Sequence, residues 1–306
     1  MKFLLAGGAG AVGHDLTDAL LKAGHAVRVL DARADSFPFS GRENLELLAG
    51  KLEDRTLAAQ AVQGCDAVIH LAWSFAADLK ELVAIDLTGQ ISLLEAAVAA
   101  KVAHFYYISS AIVYGSPITF AITENNPCQA EIARKPFYGV AKLAAEKFAL
   151  AFGQTTGLPM AIFRFWWSYG EEIGGRHLRE MMGRAAAGQP LEVPEDAGGS
   201  FLHHDDLVKA ILQAFKQPKT YGEIFNLAII YLSWKDIAGM IIELAGSESQ
   251  LAVISASQWQ GSQFLADARR LCTCKAEQLF GYASRFSREA AAANLKSAIG
   301  RGLAPG

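Results

Sequence analysis

Cysteine is scarce in this chain, four in 306 residues, at positions 65, 128, 272 and 274. They form no CxxC pair and have no second cluster beside them, so the spacing of a structural zinc site is missing and no metal is expected. Cys272 and Cys274 stand two apart, too close for a comfortable disulfide, and all four are expected as free thiols in a reducing cytoplasm. Neither sign of charge dominates. Twenty-eight Lys and Arg against 31 Asp and Glu give a net charge of −3 and a pI near 6.2, which leaves no basic footprint for a phosphate backbone and excludes nucleic acid as the expected partner. No apolar run approaches the ~20 residues of a bilayer span. The opening Met1-Lys2-Phe3-Leu4-Leu5 passes into glycines too soon for a signal peptide, so a soluble, cytoplasmic protein without a membrane partner is expected. Internal repeats and low-complexity tracts are missing too.

What is present is a composition for a large core, 52% hydrophobic and 19% charged. Short apolar runs at 3–6, 27–30, 45–48, 67–71, 105–108 and 160–163 alternate with segments of helical spacing at 11–23, 55–62, 80–100 and 137–152. Near-continuous apolar strands between helices predict a parallel sheet covered on both faces, with ligands outside the carboxyl ends of its strands. After about Tyr169 the glycine pairs 174–175 and 198–199 and the run Gly188-Gln189-Pro190 interrupt the pattern. Helices are expected there at 176–187, 205–216, 234–246 and 287–299. The fold class is α/β: a Rossmann doubly wound sheet over 1–170, and a smaller substrate-binding domain over 171–306 that returns some segments to the first.

Two motifs carry chemistry. Gly7-Gly8-Ala9-Gly10-Ala11-Val12-Gly13 follows the first strand and opens a helix, the setting in which a glycine fingerprint lets a pyrophosphate approach backbone N–H groups. It reads as GxGxxG from Gly8 or GxxGxxG from Gly7, and the spacing does not assign tasks to the individual glycines. Asp31 follows the second apolar strand, 18 positions after Gly13, near the ~20-residue offset of an acid that binds the adenosine ribose. A carboxylate there favours NAD over NADP, with Arg33 two residues on to soften the preference. In the second motif, Tyr138 and Lys142 share a helix face at i and i+4. An ammonium beside a phenol of pKa ~10 favours phenolate, which makes Tyr138 a candidate acid/base, with Ser110 holding the same substrate oxygen. His203-His204-Asp205-Asp206 looks like a metal cluster, but adjacent strand residues point to opposite faces, and Asp205 or Asp206 is expected as a helix cap.

These residues, with His70-Leu-Ala-Trp73, Ser109-Ser-Ala-Ile-Val-Tyr-Gly115, Arg164 to Gly170, Phe201 to Asp206 and Gly222 to Asn226, resemble the extended short-chain dehydrogenase/reductase family of NAD-dependent epimerases and dehydratases. The resemblance runs to about residue 245. It implies that Gly7, Gly10, Ala11, Val12 and Gly13 form the pyrophosphate turn, that Asp31 holds the adenosine ribose, and that Leu71 and Ala72 pass beneath the cofactor. It further implies that Ser110, Tyr138 and Lys142 are catalytic, with Lys142 also on the nicotinamide ribose, and that the chain forms a homodimer through 80–100 and the Tyr138 helix.

The sequence departs from the family at Lys51, where an acid near the adenine is usual, at Asp86, a frequent Asn position, and at Gly199-Ser200, where an arginine commonly grips a substrate phosphate. Arg176, Arg179, Arg184 and Arg269 remain available for that task. The expected function is hydride chemistry on a sugar or nucleotide sugar, with NAD as cofactor. The alternatives are a simple dehydrogenase or reductase of a non-nucleotide substrate, and a non-catalytic cofactor-binding regulator.

Overall fold

The apolar runs of the first half become strands β1 (Lys2–Ala6), β2 (Ala26–Asp31), β3 (Leu45–Ala49), β4 (Ala67–His70), β5 (His104–Ser110) and β6 (Met160–Phe165). The computed structural model describes residues 1–38, 41–74, 76, 78–116, 121–171 and 173–303. Its later strands are β7 (Trp167–Tyr169), β8 (Leu191–Pro194), β9 (Gly198–His203), β10 (Glu223–Asn226), β11 (Ile230–Ser233), β12 (Leu251–Ile254) and β13 (Ala268–Arg269). The main sheet is parallel throughout, in the order β10-β6-β5-β4-β1-β2-β3. This is the Rossmann order with β10 added at one edge, and the strand order reverses between β1 and β4.

Helices cover both faces, which is why the strands carry so few polar residues. They are α1 (Ala11–Lys22), α2 (Arg55–Val62), α3 (Leu79–Leu82), α4 (Gly89–Ala99), α5 (Pro136–Thr156), α6 (Arg176–Ala186), α7 (His204–Ala214), α8 (Trp234–Leu244), α9 (Gln263–Ala266), α10 (Cys274–Phe280) and α11 (Arg288–Leu303). Side chains on a strand alternate. Phe3 and Leu5 therefore pack with Leu16 of α1 and Leu207 and Ile211 of α7, whereas Leu4 and Ala6 pack with Leu93 of α4 and Ala145 and Ala149 of α5. The second half builds its own core from Leu178, Phe201, Trp234, Ile237 and Leu295. It nevertheless lends β10 and α7 to the first layer.

Three features differ from the sequence reading. Cys272 and Cys274 are joined in a disulfide, not free, because the chain bends at Thr273 and brings their Cα atoms to 5.6 Å, inside the range a disulfide spans. Helix α7 is capped by the His203 ring, which accepts the Asp205 N–H at 3.1 Å; Asp205 and Asp206 lie in its first turn. Finally, the segment of helical spacing at 80–100 is one helix, Leu79 to Ala99, as expected, but it contains a π-helical stretch, Val83–Thr88, that the spacing did not indicate. By length and composition that helix could cross a membrane, with a mean hydropathy of 1.5 over its most apolar window, half of it buried in the protein. Asp86 and Gln90 lie buried within it, as in a core helix packed on α2 and α5.

His203 and His204 diverge as adjacent residues should. His203 packs edge-on to Tyr169, and His204 bridges Asp15 of α1 at 2.5 Å and Ser168 of β7 at 3.1 Å. That relay fastens the first helix to the strand that begins the second half.

Candidate active site

The glycine turn and the Tyr138 helix open onto one cavity of about 800 Å³ at the point where the strand order reverses. Gly7, Gly10, Ala11, Val12, Gly13, Asp31, Leu71, Ala72, Ser110, Tyr138 and Lys142 all line it. Three-dimensional contacts separate the glycines where spacing could not. Gly7 has φ +87°, and a β-carbon on it would overlap the backbone of Ala72 after β4. One on Gly13 would overlap the backbone of Gly8, so α1 packs tightly against the turn. Gly10 caps α1 with no side chain, and among the described residues only the Gly7 carbonyl lies near its open face. The first N–H groups of α1 are thus presented to the cavity, the arrangement an anion needs.

Asp31 sits at the far end of this cavity. Its carboxylate accepts the Ala9 N–H at 3.0 Å and the Arg33 N–H at 2.9 Å, with the Arg33 side chain at 3.7 Å. Lys51 and Glu53 line the adjoining wall. An acid is therefore present near the position that Lys51 left without one.

At the other end, Tyr138 and Lys142 project from one face of α5. The Tyr138 ring meets Trp73 edge-on at 5.5 Å, and its hydroxyl is hydrogen-bonded by Ser110. Lys142 is buried. Its Nζ donates to the Ile108 carbonyl at 2.9 Å and lies 4.1 Å from the Trp73 ring. Burial pushes the Tyr138 phenol up to about 12, against the pull of Ser110 and the charge of Arg134. Burial also pushes Lys142 down to about 7, opposed by Asp86 and Glu146. Without cofactor, Tyr138 is protonated at neutral pH and Lys142 is close to its midpoint.

A measurable consequence follows for the cofactor-free protein. An unfolded lysine keeps its proton up to ~10.4, whereas the folded Lys142 gives it up near 7, so between these values the unfolded chain binds more protons and stability rises with pH. Urea unfolding at about pH 7.5 and 9.5 should show wild type gaining stability relative to Lys142→Met. A difference that stays flat or shrinks would contradict the burial of this amine.

One residue that braces the site, Glu146, escaped the sequence reading. Glu146, two turns after Tyr138, bonds Ser109 of β5 at 2.5 Å and Arg164 of β6 through both oxygens, at 2.5 and 2.8 Å, all of them buried. The sequence carried a signal for it, since a lone Arg in the apolar strand Met160–Phe165 needs an acid partner. Asp86, in the π-helical turn, accepts both the N–H and the hydroxyl of Ser74 at 2.7 Å, bracing the segment after β4. Of the arginines held available, Arg176 pairs with Glu180, Arg184 bonds the Pro190 carbonyl, and Arg269 is buried between Asp267 and the carbonyls of Ala111 and Gly115. Trp166 lines the cavity, while Trp167 turns to Trp234, Phe201 and Phe264.

Comparisons with known proteins bear on the family and the fold. An uncharacterized protein, y4nG, of Sinorhizobium fredii is 29% identical over 93% of this chain and 75% of its own length. An uncharacterized UDP-glucose epimerase, YtcB, of Bacillus subtilis is 27% identical over 92% of each chain. The fold matches the crystal structure of the Bordetella bronchiseptica enzyme WbmG in complex with NAD, with a TM-score of 0.80 at 22% identity over 99% of this chain and 95% of that one. Residues 3–228 match the model of the NAD dependent epimerase/dehydratase family, and the chain belongs to that family of extended short-chain dehydrogenase/reductase enzymes.

Proposed function

We propose that this enzyme is an NAD-dependent epimerase of a nucleotide-linked sugar, with Tyr138 as its acid/base. The observation that carries the reading is the single cavity running from Asp31 past the open N-terminus of α1 to Ser110, Tyr138 and Lys142. Gly7, Gly10, Ala11, Val12 and Gly13 would receive the pyrophosphate, Asp31 the adenosine ribose, Leu71 and Ala72 the underside of the cofactor, and Lys142 the nicotinamide ribose. When bound, NAD supplies a hydride acceptor that can return what it takes. Ser110 holds the substrate hydroxyl, Tyr138 removes its proton as the carbon is oxidised and restores it on return, and the Lys142 ammonium favours the phenolate. Dehydration fits less well, because Ala111 and Ile112 after Ser110 are buried and apolar and offer neither acid nor base. A relative named as a UDP-glucose epimerase and alignable over 92% of its length supports the nucleotide sugar.

The test is to denature purified protein, identify any released nicotinamide, and titrate the emptied protein with NAD and NADP. Retained NAD, preferred over NADP, with UDP-sugar interconversion and no net NADH, is the expected result. NADH released in step with product would make the enzyme a dehydrogenase. Asp31→Ala should narrow the preference for NAD over NADP by about tenfold or more, the worth of a charge-assisted hydrogen bond plus relief of repulsion; an unchanged ratio would remove Asp31 from the cofactor site.

Self-association is part of the same proposal. Phe137, Val140 and Phe148 recur at helical spacing on the open side of α5, and Leu79 and Val83 are exposed on the neighbouring helix, an apolar face that a second copy would cover. Light scattering should give a mass twice the 32.8 kDa of the chain, and Val140→Glu with Phe148→Glu should reduce it to one.

A further inference from the structure

We propose that Arg134 anchors an anionic group of the substrate, a carboxylate or a phosphoryl group, at the Tyr138 end of the cavity. The inference rests on the reading that this cavity takes a nucleotide sugar. Arg134 lies just ahead of α5, four residues before Tyr138, and reaches across to the second half of the protein, where its guanidinium carbon stands 4.0 Å over the Phe264 ring. Phe264 is 8% exposed and is stacked with Trp166 at 5.2 Å and with His177 at 4.8 Å. Trp166 lines the cavity together with Tyr138 and Lys142. The guanidinium thus lies over an aromatic wall continuous with the reaction site.

Its hydrogen-bonding edge is uncommitted. Among the described residues no carboxylate or carbonyl bonds its nitrogens, and its contact is the Phe264 ring. The acid nearby, Asp267, is given to Arg269 at 2.7 Å, and Arg269 is otherwise occupied by the carbonyls of Ala111 and Gly115. Arg134 therefore has no carboxylate of its own among the described residues. Arg134 is exposed at its surface; partial desolvation, and next the charge of Arg269, lower its pKa to about 10, so it stays charged at neutral pH. Strand β9 supplies no competing cation at this wall. Gly199 lies against the Trp166 indole, and a β-carbon there would overlap the ring. A planar guanidinium over an aromatic ring, with no hydrogen-bond partner among the described residues, can present two parallel N–H donors, the fork that suits a carboxylate or a phosphate.

The test uses full-length, NAD-loaded protein and calorimetric titration with UDP-glucuronic acid, UDP-glucose and UDP, for wild type, Arg134→Gln and Arg134→Lys. Loss of a charge-assisted contact is expected to weaken binding by about ten- to a hundredfold in Arg134→Gln, with Arg134→Lys in between. If the anion is a sugar carboxylate, only UDP-glucuronic acid weakens. If it is a phosphoryl group, all three weaken alike. Wild type that binds none of the three, or Arg134→Gln that binds each as tightly as wild type, overturns the proposal. NAD affinity, measured on the same proteins, separates this outcome from failure of the functional reading: unchanged NAD binding confines the result to Arg134, and wild type without NAD affinity defeats the cofactor site itself.

Discussion

Tyr138→Phe should lower turnover by about a thousandfold, within the range spanned by loss of a positioned acid/base, and leave NAD affinity within a few-fold of wild type. The substitution removes one hydroxyl and keeps the ring that packs edge-on to Trp73 at 5.5 Å, so the cavity wall survives. What goes is the oxygen hydrogen-bonded by Ser110, the group proposed to exchange a proton with the substrate hydroxyl. The pH profile is a second readout. With the phenol pushed up to about 12 by burial, the oxidising half of the reaction speeds up with rising pH as phenolate forms. That slope should disappear in Tyr138→Phe. Steady-state turnover and a fluorescence titration of NAD on the same preparation decide the matter, and a variant that turns over at the wild-type rate would defeat the acid/base role and revive a non-catalytic regulator.

The strands were legible because a parallel sheet buried on both faces leaves little choice of residue: Phe3 to Ala6 and Ala67 to Ile69 are apolar and buried throughout. Helix α5 was legible for a different reason, since Tyr138 and Lys142 at i and i+4 give a helix a chemical purpose as well as a period. The tasks of the glycines were not. Gly7 is constrained by Ala72, which follows β4 and lies 65 positions away, and no spacing rule within the motif contains that contact. Arg134 was hidden similarly, because its partner Phe264 lies in the least regular part of the chain. The Cys272–Cys274 link depended on a local bend at Thr273 that composition does not encode. Local periodicity thus specifies elements, and contacts between distant segments specify the site.

Glu146 shows how closely the two are joined. Tyr138, Lys142 and Glu146 follow one another at i, i+4 and i+8 on α5, and the last of them is the nail: its carboxylate takes the Ser109 hydroxyl of β5 and both hydrogen bonds from Arg164 of β6, with the ion pair 1% and 0% exposed. Glu146→Ala should destabilise the fold by about 3–5 kcal/mol, because it leaves a buried guanidinium without its counter-charge. It should also depress turnover, since α5 would lose the contact that sets the register of Tyr138 over Ser110. The double variant Glu146→Ala with Arg164→Met separates these effects. Removing both charges abolishes the orphan, so stability by urea unfolding should recover part of the loss, whereas turnover should stay low if the carboxylate also holds Ser109 and positions the helix. If the single variant unfolds at the same urea concentration as wild type, the pair contributes nothing that water does not replace. If the double variant recovers activity along with stability, the acid serves only to neutralise Arg164, and the geometry of Tyr138 and Lys142 is held by packing of Ala145 and Ala149 alone.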